Sequence, residues 1–295
     1  MINFSEAIEV LNSYKGSEKK KTLIYNNKKY LVKFPDPIRE KNKNISYINN
    51  AFSEYIGSNI FKIIGFETQN TLLGKYIYNG KEKIVCACED FTSENYVLYE
   101  FENLALSANP DKKIETELSD IMEVIQEIKK IKQINITLNN NINEKFWDMF
   151  IIDSIIGNTD RHNGNWGFLI NESMKKIEIA PIYDCASCLY PQLSDNKIEE
   201  ILKSDDEMDA RVYVFPTSAL KIDDKKINYF EFISSMQNKD CNLALKRIFP
   251  KINLNTIENI IEKTEAISDT RKEFYKRIIN LRYEKILKYS YDRLN

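Results

Sequence analysis

The sequence predicts an α+β protein of two lobes, with a β-rich N-terminal lobe over residues 1–92 and a mainly helical C-terminal lobe over residues 93–295. Two observations predict this class. Short runs of β-branched and aromatic residues, separated by turn signals, concentrate in the first third of the chain. Helical periodicities dominate the remainder. A chain of 295 residues is long enough for one large domain or for two smaller lobes that share a cleft.

The N-terminal strands come in two predicted hairpins. Residues 22–34 alternate around a turn at Asn26–Lys28, and the second strand of that hairpin carries Lys33. Residues 70–78 and 83–88 form the other hairpin, because the intervening Asn-Gly pair is typical of a two-residue β-turn. These runs predict a small sheet.

A helix is predicted over residues 45–64 of the N-terminal lobe, with Gly65 as its stop. Its apolar residues recur at helical spacing and are Ile45, Ile48, Phe52, Ile56, Ile60 and Ile63. Glu54 lies nearly opposite this stripe, so periodicity alone allows it to face either solvent or a cleft. The lobe therefore combines a sheet with one helix.

The C-terminal lobe is predicted to be helical with one short hairpin. We expect, in order, an amphipathic helix over 115–134, an Asn-rich loop over 139–143 and a helix that is apolar on most faces over 144–156. The hairpin of 168–170 with 176–179, an acidic surface segment over 192–209 and two closing helices over 253–294 follow.

Composition excludes several classes of protein. Five cysteines are an odd number scattered along the chain, which is unlike a disulfide framework and indicates a reducing cytoplasm. The N-terminus resembles no signal peptide, and no run approaches the roughly 18 apolar residues of a membrane helix. Export as an effector by another route stays open. A formal net charge of −2 provides no global attraction for nucleic acid or membranes, and the basic stretches 15–21 and 39–43 lack aromatic platforms.

The polar stretch after the buried helix carries the strongest functional signal. Asp160 is followed five residues later by Asn165, and Asp184 comes after an intervening apolar stretch. A protein-kinase-like site uses this spacing, with one carboxylate as the base for a hydroxyl and an amide plus a second carboxylate on the metal. The simpler interpretation is an Asn-Gly turn next to a helix-terminal Asp. Asp184 and Lys33 together favour the functional interpretation.

Two further groups fit a phosphate site. Lys33 would neutralise phosphates and Glu54 would hold its ammonium group, although an alternating strand often exposes a lysine to water. A turn at residues 16–20 would offer backbone N–H groups to phosphate oxygens. It lacks the Gly-Lys-Ser/Thr ending of a Walker A loop, so this signal is weak on its own.

Taken in order, these motifs resemble the HipA-like serine/threonine kinase family, and in particular its compact CtkA-like branch. The resemblance spans about residues 13–190 and is most specific at Asp-Arg-His. It implies a two-lobed protein-kinase-like fold and a protein that uses ATP and Mg²⁺. The motifs that carry it occupy residues 14–22, 30–35, 53–57, 158–169 and 180–184.

The resemblance implies a role for each matching residue. Asp160 would be the catalytic base, Asn165 and Asp184 the magnesium ligands, and Lys33 with Glu54 the phosphate-binding pair. The residues that would cover the phosphates are Gly16, Ser17, Glu18 and Lys19, and those whose backbone would hold adenine are Glu89 and Phe91. Ser13 matches a serine that is autophosphorylated in the family, and Ser17 is a second candidate.

Two other patterns favour structural roles. His162 is the single histidine of the chain and has no nearby partner in sequence, which favours a structural role. The family resemblance implies that its imidazole braces the loop. Cys185 and Cys188 would need Cys86 and Cys88 to complete a zinc site, and a C-x-C pair is a poor half-site. These cysteines are interpreted as small hydrophobic residues.

The leading hypothesis is therefore a protein kinase that phosphorylates serine or threonine and itself, acting as a toxin or effector with an antitoxin protein as a partner. One alternative keeps the same site but takes a lipid or small molecule as the acceptor. Another is a catalytically silent module that binds an antitoxin or a host protein.

Overall fold

The computed structural model describes residues 1–11, 20–35, 48–108, 116–130, 142–171, 173 and 176–294. These residues form two compact units that alternate along the chain. Unit 1 comprises Met1–Phe91, Asp184–Ser204 and Asn253–Lys276, and unit 2 comprises Thr92–Tyr183, Asp205–Ile252 and Arg277–Asn295. The predicted division into lobes between residues 92 and 93 stays a prediction, since the units also group two later segments with the first 91 residues.

The described part of unit 1 holds a six-stranded sheet in the order β1-β5-β6-β4-β3-β2. Both predicted hairpins are present. Asn26 and Asn27 adopt φ of 47° and 59°, and Asn79 and Gly80 adopt 48° and 72°, as two-residue turns between twisted strands require. The strands are β1 (Ile2–Asn3), β2 (Ile8–Val10), β3 (Lys20–Tyr25), β4 (Lys28–Lys33), β5 (Thr71–Tyr78) and β6 (Lys81–Glu89).

The sheet is covered on both faces. Val85 and Ala87 of β6 point into a cluster that includes Phe4 and Val32. Their neighbours Cys86 and Cys88 point the other way and pack with Ala51, the second residue of helix α1 (Asn50–Ile64). Successive side chains of a strand alternate between faces, and both faces of β6 are buried, so its sequence is a nearly continuous apolar run.

Helix α1 confirms the predicted stop at Gly65. This glycine has φ of 102°, and its N–H donates to the carbonyls of Phe61 and Lys62. The predicted apolar stripe was wrong at two positions, because Ile48 and Ile63 are 45% and 39% exposed. The helix is instead buried around most of its circumference, so a single stripe does not describe it.

The acidic segment 192–209 was predicted as a surface segment, and its helices were not predicted. It contains most of two helices, α5 (Asp195–Leu202) and α6 (Asp205–Tyr213). Ser194 caps α5 by accepting the N–H of Lys197, and the acidic residues of both first turns suit the positive helix N-terminus. Ile198 and Ile201 anchor α5 because they are fully buried.

Unit 2 is mainly helical in its described residues. Helix α4 is apolar on nearly every face, as predicted, and the predicted hairpin is present with an additional strand paired to it. A second hairpin was not predicted. The elements are α2 (Phe101–Ala108), α3 (Leu118–Lys130), α4 (Ile142–Ile156), α7 (Tyr229–Ser235), α8 (Lys239–Ile248), α11 (Tyr289–Leu294), β7 (Val97–Glu100), β8 (Gly167–Asn171), β9 (Lys176–Ile179), β10 (Thr217–Ile222) and β11 (Lys225–Asn228).

The C-terminal region is more subdivided than predicted. The structure has α9 (Leu254–Lys263) and α10 (Asp269–Arg282), then a π-helical stretch at Tyr283–Lys288 that leads into α11. Part of the predicted Asn-rich loop was also wrong, since Ile142 begins α4; residues 139–141 lie outside the described residues. None of the described helices is long and apolar enough to cross a membrane.

Gly157 ends α4 in a conformation that only glycine adopts freely, with φ of +64°. The guanidinium group of the fully buried Arg282 lies against it and donates to the carbonyls of Ile155 and Arg211. A Cβ atom at position 157 would come within 2.2 Å of Nη1 of Arg282. The close approach of this arginine therefore depends on the missing side chain.

We expect Gly157→Ala to destabilise the protein more than Gly80→Ala, measured by urea unfolding. Both variants place alanine at positive φ, which costs about 1–2 kcal/mol. Only the first also meets a buried group, which adds roughly 1–3 kcal/mol of overpacking, whereas a Cβ at Gly80 meets no atom within 4 Å. Equal destabilisation by the two changes would show that Arg282 moves aside without cost.

Candidate active site

Lys33 lies at the end of β4 and is buried rather than exposed. Its side chain is 8% exposed, and its ammonium group donates to Oε2 of Glu54 at 2.7 Å and to Oδ1 of Asp184 at 2.8 Å. The structure thus brings together three of the predicted site residues within unit 1. A single ammonium between two carboxylates forms a compact charged cluster.

Glu54 is completely buried, which decides between the two orientations that periodicity left open. While Oε2 accepts from Lys33, Oε1 accepts the backbone N–H of Cys185 at 3.1 Å and the Ser58 hydroxyl at 3.4 Å. A solvent-facing position is wrong, because α1 is surrounded by packed residues. Glu54 therefore links Lys33 to the residue that follows Asp184.

Asp184 has a left-handed backbone, with φ of +55°. Its side chain remains 37% exposed although one oxygen accepts from Lys33. Asp tolerates this conformation better than most residues. The result is a carboxylate that is anchored on a buried cation and still reaches solvent.

Asp160 and Asn165 lie in the segment that follows α4 in unit 2. Asp160 is exposed, whereas Asn158, Arg161 and Asn165 around it are buried. The side-chain oxygen of Asn158 accepts the N–H of Asp160 at 3.2 Å. An exposed carboxylate on a buried, hydrogen-bonded support has the form of a functional loop.

The amide group of Asn165 is oriented by the same segment. Its Nδ2 donates to the carbonyl of Asp160 at 2.7 Å. Among the described residues no donor reaches its Oδ1, so the oxygen is the atom that remains for a ligand. Mg²⁺ prefers hard oxygen ligands such as this amide and the partly exposed carboxylate of Asp184. Each of these two oxygen donors is therefore of the chemical kind that suits the metal implied by the resemblance.

His162 braces the loop, as the family resemblance implied. Its Nδ1 accepts the N–H of Gly164 at 3.0 Å, and its carbonyl accepts the N–H of Asn165 at 2.9 Å. Tyr183 adds a contact to the same turn, because its hydroxyl donates to the Gly164 carbonyl at 3.1 Å. These bonds hold the backbone between Asp160 and Asn165.

Sequence reasoning missed the buried polar groups that support this loop. Asp153 accepts from Nε of Arg161 at 3.0 Å and from Nδ2 of Asn158 at 2.9 Å. The Tyr229 hydroxyl donates to the Asn158 carbonyl at 2.6 Å, and burial raises the pKa of that hydroxyl far above its ordinary value, so it stays a donor. The position of Asp153 in a mostly apolar helix is the sequence feature that could have indicated its supporting role.

The residues of the predicted adenine connector, Glu89 and Phe91, are both described by the structure. The N–H of Glu89 donates to the Asn70 carbonyl at 2.8 Å, and its own carbonyl accepts from Nε2 of Gln69 at 3.0 Å. A carbonyl oxygen has two lone pairs, so the Glu89 carbonyl can accept a second hydrogen bond. Phe91 is the last residue of the first segment of unit 1. The predicted phosphate-covering and autophosphorylated residues, Ser13, Gly16, Ser17, Glu18 and Lys19, lie outside the described residues.

The four cysteines near the site are buried free thiols. The pKa of Cys88 is raised well above its usual range by a hydrogen bond with Cys86 and by burial, which favours the protonated thiol over a metal-binding thiolate. A Cβ at Gly57 would lie 2.8 Å from Cβ of Cys185 and 2.9 Å from Sγ of Cys188. Helix α1 therefore packs closely on the turn after Asp184, and these thiols serve that packing.

Comparison with known proteins identifies the family. The model of the HipA-like C-terminal domain matches residues 12–271. The chain belongs to the HipA-like family. A curated relative, the serine/threonine-protein kinase CtkA of Helicobacter pylori, is 43% identical over 281 residues, which is 92% of this chain and 81% of the relative.

Solved structures confirm the α+β kinase fold of this HipA-like chain. The crystal structure of a proinflammatory kinase CtkA of Helicobacter pylori matches with a TM-score of 0.88 and 41% identity over 99% of this chain and 97% of that one. A chain of the toxin–antitoxin complex of HipA, HipB and operator DNA from Shewanella oneidensis matches with a TM-score of 0.52 and 18% identity, covering 96% of this chain and 66% of that one. The second likeness shows the fold alone.

We expect Glu54→Ala to lower the free energy of unfolding by about 3–5 kcal/mol, the usual cost of removing one partner from a buried ion pair. The change also removes the acceptor for the Cys185 N–H. Glu200→Ala is the matched control, because its pair with Lys197 is exposed and contributes about 0–1 kcal/mol. Urea unfolding compares the two, and equal losses would contradict a structural contribution from the buried pair.

Proposed function

We propose that this protein transfers the γ-phosphoryl group of ATP to serine or threonine hydroxyls of a protein, and that it also phosphorylates itself. The enzyme is a serine/threonine protein kinase, the class of the relative that is 43% identical over 92% of the chain. One observation carries the proposal: Lys33 is buried and held between Glu54 and Asp184, so its charge is fixed at one place. In protein kinases the lysine that contacts the phosphates is paired with a glutamate in this way.

Asp160 is the proposed catalytic base. Its exposed carboxylate would accept the proton of the acceptor hydroxyl and orient that oxygen toward the γ-phosphorus. The bonds from Asn158 and Asn165 to its main chain support this role, since they fix the backbone on both sides of the carboxylate.

Asn165 and Asp184 are the proposed ligands of Mg²⁺. The bound metal would neutralise the charge on the phosphate oxygens. Lys33 would donate to the nonbridging oxygens of the nucleotide, and Glu54 would keep the ammonium group oriented while it does so. Asp184 accepts one hydrogen bond of that ammonium.

The remaining parts of the nucleotide site rest on the family resemblance. Glu89 and Phe91 would hold adenine through their backbone groups, and residues 16–19 would cover the phosphates. Phosphorylation of Ser13 or Ser17 would place nearly two negative charges beside ATP. We therefore propose that self-phosphorylation in this loop lowers activity.

Membership of the HipA-like family favours a protein acceptor over a lipid or a small molecule. It also motivates an antitoxin protein as a proposed partner, because a fold relative is described in a complex with HipB. A reducing cytoplasm is the proposed location, which the free thiol of each cysteine supports.

We expect Asp160→Asn to reduce self-labelling with radioactive ATP by about 10²–10⁴-fold, the usual contribution of a general base. Binding of MgATP, measured by calorimetry, should change little because the substitution preserves the size of the side chain. Asp223→Asn, in the exposed turn after β10, is the control and should label normally. Undiminished transfer by the Asp160 variant would refute its role as the base.

We expect Lys33→Met to weaken phosphoryl transfer by roughly 10- to 100-fold, because a charge-assisted hydrogen bond to phosphate contributes about 1.5–3 kcal/mol. Lys75→Met removes a lysine whose side chain is 39% exposed in the same sheet and pairs with Glu82. Initial rates of self-labelling at saturating ATP compare the two. Equal rates would place the phosphates away from Lys33.

A further inference from the structure

Arg161 is a buried arginine whose guanidinium group has an unusual set of acceptors. Its Nε and Nη2 donate to the two oxygens of Asp153 at 3.0 and 3.3 Å. Its Nη1 donates to the backbone carbonyl of Asn165 at 2.9 Å and to that of Tyr183. Arg161 is 4% exposed and Asp153 is 1% exposed, so these bonds form away from solvent.

Each of the two carbonyls that accept from Nη1 lies at or next to a proposed magnesium ligand. One belongs to Asn165 itself, and the other belongs to the residue immediately before Asp184. These are the two proposed magnesium ligands. One nitrogen atom therefore fixes the main chain at one ligand and directly before the other, and Asp153 determines where that nitrogen lies.

The support continues on the far side of Asp153. Asn158 donates to Oδ1 of Asp153 through its side chain and to the Asp153 carbonyl through its backbone N–H, both at 2.9 Å. Its own Oδ1 accepts the N–H of Asp160. The same carboxylate thus orients Arg161 directly and the proposed base through Asn158.

Only arginine has the geometry that this arrangement requires. The planar guanidinium presents a rigid fork of donors, which matches a carboxylate on one edge and leaves Nη1 for other acceptors. A lysine ammonium is a compact charge on a flexible stem, so it can pair with Asp153 but cannot hold the same acceptors in the same plane. Position 161 therefore requires the planar shape of a guanidinium group as well as its positive charge.

We propose that Asp153 and Arg161 are positioning residues that fix the main chain at Asn165, one proposed magnesium ligand, and at Tyr183, the residue directly before the other. This inference rests on the proposed function of the site. Mg²⁺ demands near-ideal octahedral geometry at short distances. A small displacement of either main-chain segment should therefore weaken metal binding more than it weakens nucleotide binding.

The test is Arg161→Lys, which keeps the charge next to Asp153 and removes the fork. Binding of Mn²⁺ in the presence of a nonhydrolysable ATP analogue, followed by electron paramagnetic resonance, is expected to weaken about 10- to 100-fold, as for other changes behind metal ligands. Binding of the same analogue in EDTA should stay within about twofold of wild type. The concentration of Mg²⁺ that gives half-maximal self-labelling should rise in parallel with the loss of Mn²⁺ affinity.

Arg211→Lys is the matched control. Arg211 is also buried in unit 2, and it donates to its own helix neighbour Glu207. It should leave metal affinity unchanged even if it lowers the unfolding temperature. Asp153→Asn provides a second variant, since it keeps the size of the side chain while removing the charge that orients Arg161, and it decides the matter if Arg161→Lys does not fold.

Two results would overturn the inference. One is unchanged Mn²⁺ affinity in a folded Arg161→Lys or Asp153→Asn protein. The other is an equal loss of nucleotide binding with and without metal, which would indicate a general structural role. Wild-type binding and self-labelling test the proposed function separately, so failure of the kinase assignment would be distinguishable from failure of this inference.

Discussion

A lysine ammonium buried between two carboxylates is the constraint on which unit 1 depends. Removing charges from water costs several kcal/mol per ion, and the attraction within a buried pair often only offsets that cost. The Lys33–Glu54 pair is therefore a poor device for stability alone. Its value lies in holding a positive charge at one place, and the fold surrounds it accordingly: α1 is buried on most sides, and the turn after Asp184 packs against Gly57.

In unit 2 the side chain of interest is exposed rather than buried. As the proposed base, Asp160 would have to reach solvent in order to meet an acceptor hydroxyl, and its backbone is ordered by the buried groups that contact it. Asp153, Arg161 and Asn158 are nearly or fully buried and satisfy one another's hydrogen bonds. Low dielectric strengthens such a network when it is complete and penalises it when one member is lost. The proposed catalytic base is therefore an exposed carboxylate on a buried ionic support.

Local sequence determined the features that depend on a few neighbouring residues. The Asn-Asn and Asn-Gly turns, the Gly65 helix stop and the spacing from Asp160 to Asn165 are all of this kind, because positive φ and short loops have strong residue preferences. The apolar helix before Asp160 was also predictable, since burial on every face needs no knowledge of its partners. The order of the motifs was sufficient to recognise the family.

Tertiary structure decided the rest. Periodicity could not place Glu54, because its orientation follows from what surrounds α1 rather than from α1 itself. The acidic segment after residue 192 became two helices because Ile198 and Ile201 find a core to enter, which composition does not reveal. Asp153 and Arg161 are eight residues apart and look like ordinary charges in the sequence. Only the folded chain shows that their side chains meet, because hydrogen-bond geometry depends on the path of the backbone between them.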